Sequence, residues 1–168
     1  MNDPLNSNEQ TILPHVQTRW MIPSDLPGVE SLDKTCFPNP WLKTDYNLAL
    51  AKANCLGMIA ETEHNWLLGP ELLGYAIYEL RPKNLHIIRL ATRPLTRRQG
   101  VGHTMVASLT TKLSNKRPVL AILVRETNLG AQHFFSAQGF RATLVVRGYF
   151  KDTGEDAYEM FYALGGAR

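Results

Sequence analysis

Between Pro118 and Arg125 the sequence reads VLAILV, an apolar run with no polar interruption. A strand with one wet face alternates apolar and polar residues. A continuous run of this length is the signature of a strand buried on both faces. Its flanks carry helical periodicity. Before it, Val101, Met105, Val106, Leu109 and Leu113 make one apolar stripe that Pro118 stops. After it, Ala131, Phe134 and Phe135 lie on a second helix that ends at Gly139, a residue suited to the left-handed turn past a helix.

The first half is organised differently. Residues 16–22 (VQTRWMI) read as a strand. Ser24 is placed to cap a helix that carries Leu26, Val29, Leu32 and Cys36 on one face, ended by Pro38 and Pro40. A second helix is expected over 41–53. Strands follow at 55–60, 72–80 and 85–92, with a polar hairpin loop at 61–70. Two closing strands are expected at 141–147 and 157–163. Strand, two helices, three strands, helix, strand, helix and two strands make a mixed α/β (α+β) domain over 15–168. Residues 1–14, rich in Asn, Ser and Pro and without periodicity, read as a disordered leader.

At 168 residues the chain is long enough for one domain with a core of its own. Its 44% hydrophobic and 20% charged residues exclude a disordered chain, a collagen-like fibre and a coiled coil. No apolar stretch approaches a membrane span of about 20 residues, and the polar start lacks the apolar core of a secretory signal. The net charge of +3 is too small to argue for nucleic acid, and suits an anionic small ligand equally well. Cys36 and Cys55 form no C-x-x-C pair, so neither a zinc site nor a disulfide framework is expected. Two reduced thiols fit the cytoplasm.

The segment Arg97-Arg98-Gln99-Gly100-Val101-Gly102-His103 follows a strand and opens a helix. Glycines let a backbone approach a ligand closely. The free N–H groups of a first helical turn carry partial positive charge, and two arginines add fixed charge. This is a phosphate-binding arrangement, although a plain basic turn has the same composition. It is no dinucleotide fingerprint, because position 105 is Met, and no P-loop, because no Gly-Lys-Ser/Thr follows.

The spacing Arg-x-x-Gly-x-Gly is instead similar to the pyrophosphate loop of the GNAT acetyltransferases. The segment Leu90-Ala91-Thr92-Arg93-Pro94 resembles the splayed strand with which that family grips the pantetheine arm. Val124-Arg125-Glu126-Thr127-Asn128, with Phe134-Phe135 and Gly139-Phe140, resembles its second cofactor segment, in which Asn128 and Phe135 would approach the cofactor. The resemblance covers about 20–164. It implies a central, mostly antiparallel sheet with one splayed parallel pair, about four flanking helices, and acetyl-CoA as co-substrate without a metal. Residues 147–150 and 154–160 resemble the closing hairpin of protein N-terminal acetyltransferases, above all the bacterial enzymes that acetylate the N-terminal alanine of a ribosomal protein. That places Tyr149 over an acceptor peptide, with Phe37, Trp41 and Arg89 bordering the same groove.

The chain departs from the family at three positions. Leu123 stands where a Glu or His often acts as base, Phe135 where a Tyr often reprotonates the thiolate, and Arg89 where an Asn is common. A peptide α-amine has a pKa of about 7.7–8.0, so on the order of a tenth is neutral at pH 7; a lysine at about 10.4 is neutral in well under a thousandth. Loss of a base therefore harms α-amine acetylation less. Substitutes are His86, where some related enzymes carry a working tyrosine, then Glu79 on the preceding strand, with Tyr149 as an acid. Each also has a plain structural reading: a histidine packed in the sheet or facing water, an exposed edge carboxylate, an aromatic packed in a hairpin. Glu126 reads as a helix cap. Arg89, a charge in an apolar strand, needs a partner; an acidic group on the acceptor and Glu79 are the two readings.

Taken together, the resemblance implies an acetyl-CoA-dependent N-acetyltransferase acting on the α-amine of a protein or peptide, ribosomal proteins included, by direct attack on the thioester. The alternatives are acetylation of a small amine or polyamine, and a weakened CoA-binding regulatory protein. No nucleic-acid or membrane partner is expected, and the chain is expected to be a monomer or weak homodimer.

Overall fold

The computed structural model describes residues 15–63 and 69–165. The expected leader and part of the expected 61–70 loop lie outside the described residues. The strands are β1 (Val16–Trp20), β2 (Cys55–Thr62), β3 (Leu72–Leu80), β4 (Asn84–Thr92), β5 (Val119–Arg125), β6 (Arg141–Phe150) and β7 (Glu155–Ala163). The helices are α1 (Leu26–Cys36), α2 (Lys43–Leu50), α3 (Val101–Thr110) and α4 (Leu129–Ala137). One sheet runs in the order β1-β2-β3-β4-β5-β7-β6. All pairs are antiparallel except β4 with β5. This is the mixed α/β, mostly antiparallel sheet with one parallel pair that the resemblance implies.

The sheet is covered on both faces, as the VLAILV run requires. On one side Val101, Met105, Val106 and Leu109 of α3 and Phe135 of α4 pack on Leu120, Ile122 and Val124 of β5 and Leu85 and Ile87 of β4. On the other, Val29 and Leu32 of α1 and Tyr46 of α2 pack on Ile59, Tyr75, Ile77 and Ala91. A bulge in β4 shifts the pleat. Ile77 opposes Arg89 and Tyr78 opposes Ile87, which leaves Ile88 without a partner. Before the bulge the odd residues of β4 enter the α3 cluster; after it Arg89 and Ala91 turn to the α1 side. One extra residue in a period-2 strand exchanges the faces of everything beyond it.

Element ends differ from expectation where polar partners decide them. A 3-10 turn at Pro23–Asp25 precedes α1, and Asp25 rather than Ser24 receives the Ile22 N–H, at 2.8 Å. The second helix is shorter than 41–53: it opens at Lys43, after Asp45 accepts the Leu42 N–H at 2.7 Å. β2 runs on to Thr62 because buried Glu61 is held by Arg19 of β1 at 3.0 Å. Among the described residues no helix is long and apolar enough to cross a membrane.

Candidate active site

The pairing of β4 with β5 stops at Ile87 opposite Ile122, although β4 continues to Thr92 and β5 to Arg125. The two strands part there like a fork. The edge of 88–92 that faces β5 therefore has no strand partner, while its other edge stays paired with β3. An extended ligand arm can add itself to such an edge by main-chain hydrogen bonds.

The turn into α3 lies beyond the open end of β4. Gly100 caps the helix at φ +84°, and Arg98 is also left-handed at φ +65°. A left-handed arginine is strained by about 1–2 kcal/mol, and such strain collects at ligand sites. Among the described residues, no protein acceptor receives the main-chain N–H groups of Arg98, Gln99, Gly100, Val101, Gly102 or His103. These donors, the helix dipole and the side chains of Arg97 and Arg98 make a cradle suited to phosphate oxygens. Glycine at 102 is required by contact: a Cβ there would lie 2.9 Å from Cζ of Phe134. The C-terminus of α1 closes on this region, where Cys36 Sγ donates to the Thr92 carbonyl at 3.4 Å.

The loop between α1 and α2 is pinned over the α1 face of the fork by a buried network that the sequence reading missed. Asp33 is 0% exposed. Its carboxylate receives Nε and Nη2 of Arg89 at 2.7 and 2.8 Å, the Trp41 N–H at 2.6 Å, and the Tyr75 hydroxyl. Tyr46 donates to Tyr75 at 3.2 Å. Burial, then the bond to Asp33, raises the Tyr75 phenol far above its ordinary range, and burial pushes Tyr46 up to about 12. The Arg89 guanidinium lies 3.8 Å from the Phe37 ring centroid and donates to the Asn39 carbonyl at 3.2 Å. The partner of Arg89 is thus Asp33, and its charge is already matched without an acceptor group. Glu79 is held instead by Arg81 at 2.8 Å, which lowers its carboxyl below the usual range.

The opposite wall is the β6–β7 turn. Arg125, at the end of β5, binds Asp152 and Glu155 at 2.6 Å each and stacks 3.9 Å from the Phe150 ring. Asn39 of the α1–α2 loop donates to Asp152 at 2.6 Å, so the two walls meet. Tyr149 is 44% exposed and packs edge-on to Phe150.

Other expected site residues are placed as follows. His86 lies one rung below the fork, between Glu79 of β3 and Ala121 of β5, and is 4% exposed. Burial, then Arg81, pushes its imidazole down to about 4, and its Nδ1 has no partner. It does not face water, nor does it titrate near 6.5 as an open histidine would. Phe135 is 3% exposed, stacked between Phe134 and Phe140 at 5.0 Å each. Asn128, not Glu126, caps α4, accepting the Ala131 N–H at 3.0 Å; Glu126 accepts the Asp156 N–H at 3.1 Å. Leu90 packs against the α3 cluster, Ala91 is buried on the α1 side, and Thr92 ends the open edge. His103 bonds Gln138 at 2.8 Å. Among the described residues, no group of three or more His, Cys, Asp or Glu is arranged to hold a metal.

A mostly antiparallel sheet whose one parallel pair splays apart, with helices on both faces, is the GNAT fold. The Acetyltransferase (GNAT) family profile matches residues 26–140, and the chain belongs to that family. Solved structures with the same fold include the ribosomal-protein-S18-alanine N-acetyltransferase from Escherichia coli, at TM-score 0.76 and 20% identity, covering 92% of this chain and 97% of that one. Arabidopsis thaliana NAA60 in complex with acetyl-CoA matches at TM-score 0.75 and 16% identity, covering 90% and 100%. A GNAT family acetyltransferase from Elizabethkingia anophelis with acetyl-CoA bound matches at TM-score 0.68 and 18% identity, covering 89% and 98%. No curated protein matches the sequence significantly.

Proposed function

We propose that the protein is an acetyl-CoA-dependent N-acetyltransferase whose acceptor is the α-amine of a protein or peptide. The observation that carries the reading is the fork. It offers unpaired main-chain edges to a pantetheine arm, leads to the free amides of 98–103 for the pyrophosphate, and on its α1 side lies between the α1–α2 loop and the β6–β7 turn, where we place an acceptor groove. The loop and the turn are joined through Asn39 and Asp152. A groove between two fixed loops suits a chain end, which extends away from its reacting amine, better than a compact small molecule.

The residues fit acetyl-CoA as co-substrate. Arg97, Arg98 and the amides from Gln99 to His103 would hold its phosphates, and the 88–92 edge its arm. When bound it supplies the activated acetyl group; the protein positions the amine beside it. Holding two reactants in place lowers the barrier without a covalent intermediate, and neither cysteine is at the base of the fork. Phe37, Trp41 and Tyr149 line the acceptor side. The likeness to the E. coli ribosomal-protein-S18-alanine N-acetyltransferase makes a ribosomal-protein N-terminus the first acceptor to test.

The test is thiol release from acetyl-CoA with peptides that differ in their first residues, beside polyamines and N-blocked, lysine-containing peptides. Turnover confined to free α-amines is the expected result. Turnover only with polyamines overturns the acceptor assignment. Acetyl-CoA binding without any thiol release makes the protein a CoA-binding module, for which the buried, hydroxyl-free Phe135 supplies a cause.

A further inference from the structure

One strand over from the base of the fork stands an acidic side chain that, among the described residues, nothing holds. Leu123 is the first residue of β5 past the last β4–β5 rung, and Glu159 of β7 lies directly opposite it. Opposed residues of an antiparallel pair share a face, their Cβ atoms about 4.5–5.5 Å apart. That face is the α1 side, because Leu120, Ile122 and Val124, which alternate with Leu123, fill the α3 cluster. Glu159 therefore stands on the groove side of the sheet, one strand over from the position where the family resemblance places a base and this chain has leucine.

The neighbouring carboxylates are all engaged: Asp33 by Arg89, Asp152 and Glu155 by Arg125, Asp156 by Arg147, Glu79 by Arg81. The half-buried carboxylate of Glu159 has no hydrogen bond and no ion pair among the described residues. The groups around it are known. Leu123 faces it from β5 and Leu144 from β6. Arg125, already paired, is one same-face position away on β5; Arg141, opposite Phe161, is one away on β6. His86 faces the same side from β4, and Asp152 and Tyr149 belong to the turn beyond.

We propose that Glu159 is the proton acceptor for the incoming amine, its carboxylate displaced from β5 to β7. This rests on the acetyl-transfer reading. The acceptor ammonium gives one proton to Glu159, directly or through one water, and Glu159 returns it to solvent. The neutral nitrogen forms the C–N bond at the thioester carbonyl carbon, and the C–S bond breaks. The proton that nitrogen sheds as C–N forms ends on the departing sulfur. The products are the amide and the free thiol, with no oxidant or reductant required.

The test uses the full chain, acetyl-CoA and the peptide turned over best by the wild type. Glu159→Gln is expected to lower kcat by roughly 10²–10⁴-fold, the usual range for a lost general base. Its acetyl-CoA Kd by calorimetry and its thermal midpoint stay at wild-type values, and the acid limb of the kcat–pH profile moves up to the free amine's own range of about 7.7–8.0. Adding Leu123→Glu to Glu159→Gln returns a carboxylate to the same face of the same rung, and recovers at least tenfold of the loss. Wild-type kcat in Glu159→Gln overturns the assignment, and so does an unchanged acid limb. A loss accompanied by equal weakening of acetyl-CoA binding or a lowered midpoint also overturns it, since that marks a structural role. A wild type silent toward every amine removes the acetyl-transfer reading itself, and the base with it; an active wild type with an equally active variant removes only the base.

Discussion

His86 makes the stability of the domain depend on pH in a way that one substitution isolates. The imidazole is 4% exposed, its Nδ1 is unpartnered, and burial lowers its pKa from 6.5 to about 4. Between those values the unfolded chain holds a proton that the folded one refuses. Stability therefore falls as pH drops through 6.5, and the loss is complete once pH passes below about 4. The gap is about 2.5 units, and at about 1.36 kcal/mol each it amounts to about 3 kcal/mol. About 2 kcal/mol is gone by pH 5, a large share of the roughly 5–15 kcal/mol that holds a domain folded. Urea unfolding of the wild type and His86→Leu, followed by fluorescence at pH 7.5, 6.5, 5.5 and 4.5, measures the difference. The leucine variant removes both the titration and the orphan nitrogen, so at pH 7.5 it is no less stable than wild type by more than about 1 kcal/mol. Its advantage then grows by about one proton's worth per pH unit below 6.5. Parallel stability curves for the two proteins would refute the assignment of a buried, neutral imidazole.

Three further outcomes follow from the site. Asp33→Asn leaves the buried Arg89 guanidinium without its counter-charge, and stability falls by about 3–5 kcal/mol, read as a lower urea midpoint. Gly102→Ala forces a methyl group against Phe134, where contacts of 2.9 and 3.0 Å leave no room. It costs about 1–3 kcal/mol in thermal unfolding and weakens acetyl-CoA in calorimetry. Arg98→Gly separates strain from charge. Stability stays level or rises by up to about 1 kcal/mol because the left-handed φ is relieved, while acetyl-CoA affinity falls several-fold; a loss of stability instead denies that the turn is strained.

The order of elements was legible because it rests on local signals. Apolar periods of 2 and 3.6, Pro118 after one helix and Gly139 after another lie within a few residues of what they specify. The face of each residue in β4 was not legible. The bulge at Ile88 has no sequence mark of its own, and it decides that Arg89 and Ala91 point to the groove side rather than into the α3 cluster. Burial of His86 was hidden for the same reason: nothing in LHIIRLAT tells whether a helix or water covers its even positions.

The charges show where sequence reasoning stops. A cation in an apolar strand announces that a partner exists, since an unpaired buried charge is too costly to persist. It does not say where. Arg89 finds Asp33 across 56 residues, on a helix whose apolar stripe gave no reason to single out that aspartate. Only the fold shows that Asp33, beside Leu32 and four residues past Val29, is 0% exposed. Glu159 is the reverse case. In AYEMFYA it reads as the wet residue of an alternating strand, and only the register that sets it opposite Leu123 gives it chemistry. A carboxylate one strand over from Leu123, which we propose as the base, is invisible along the chain and plain across the ladder. That is why substitution at 123 alone does not argue for an inactive protein.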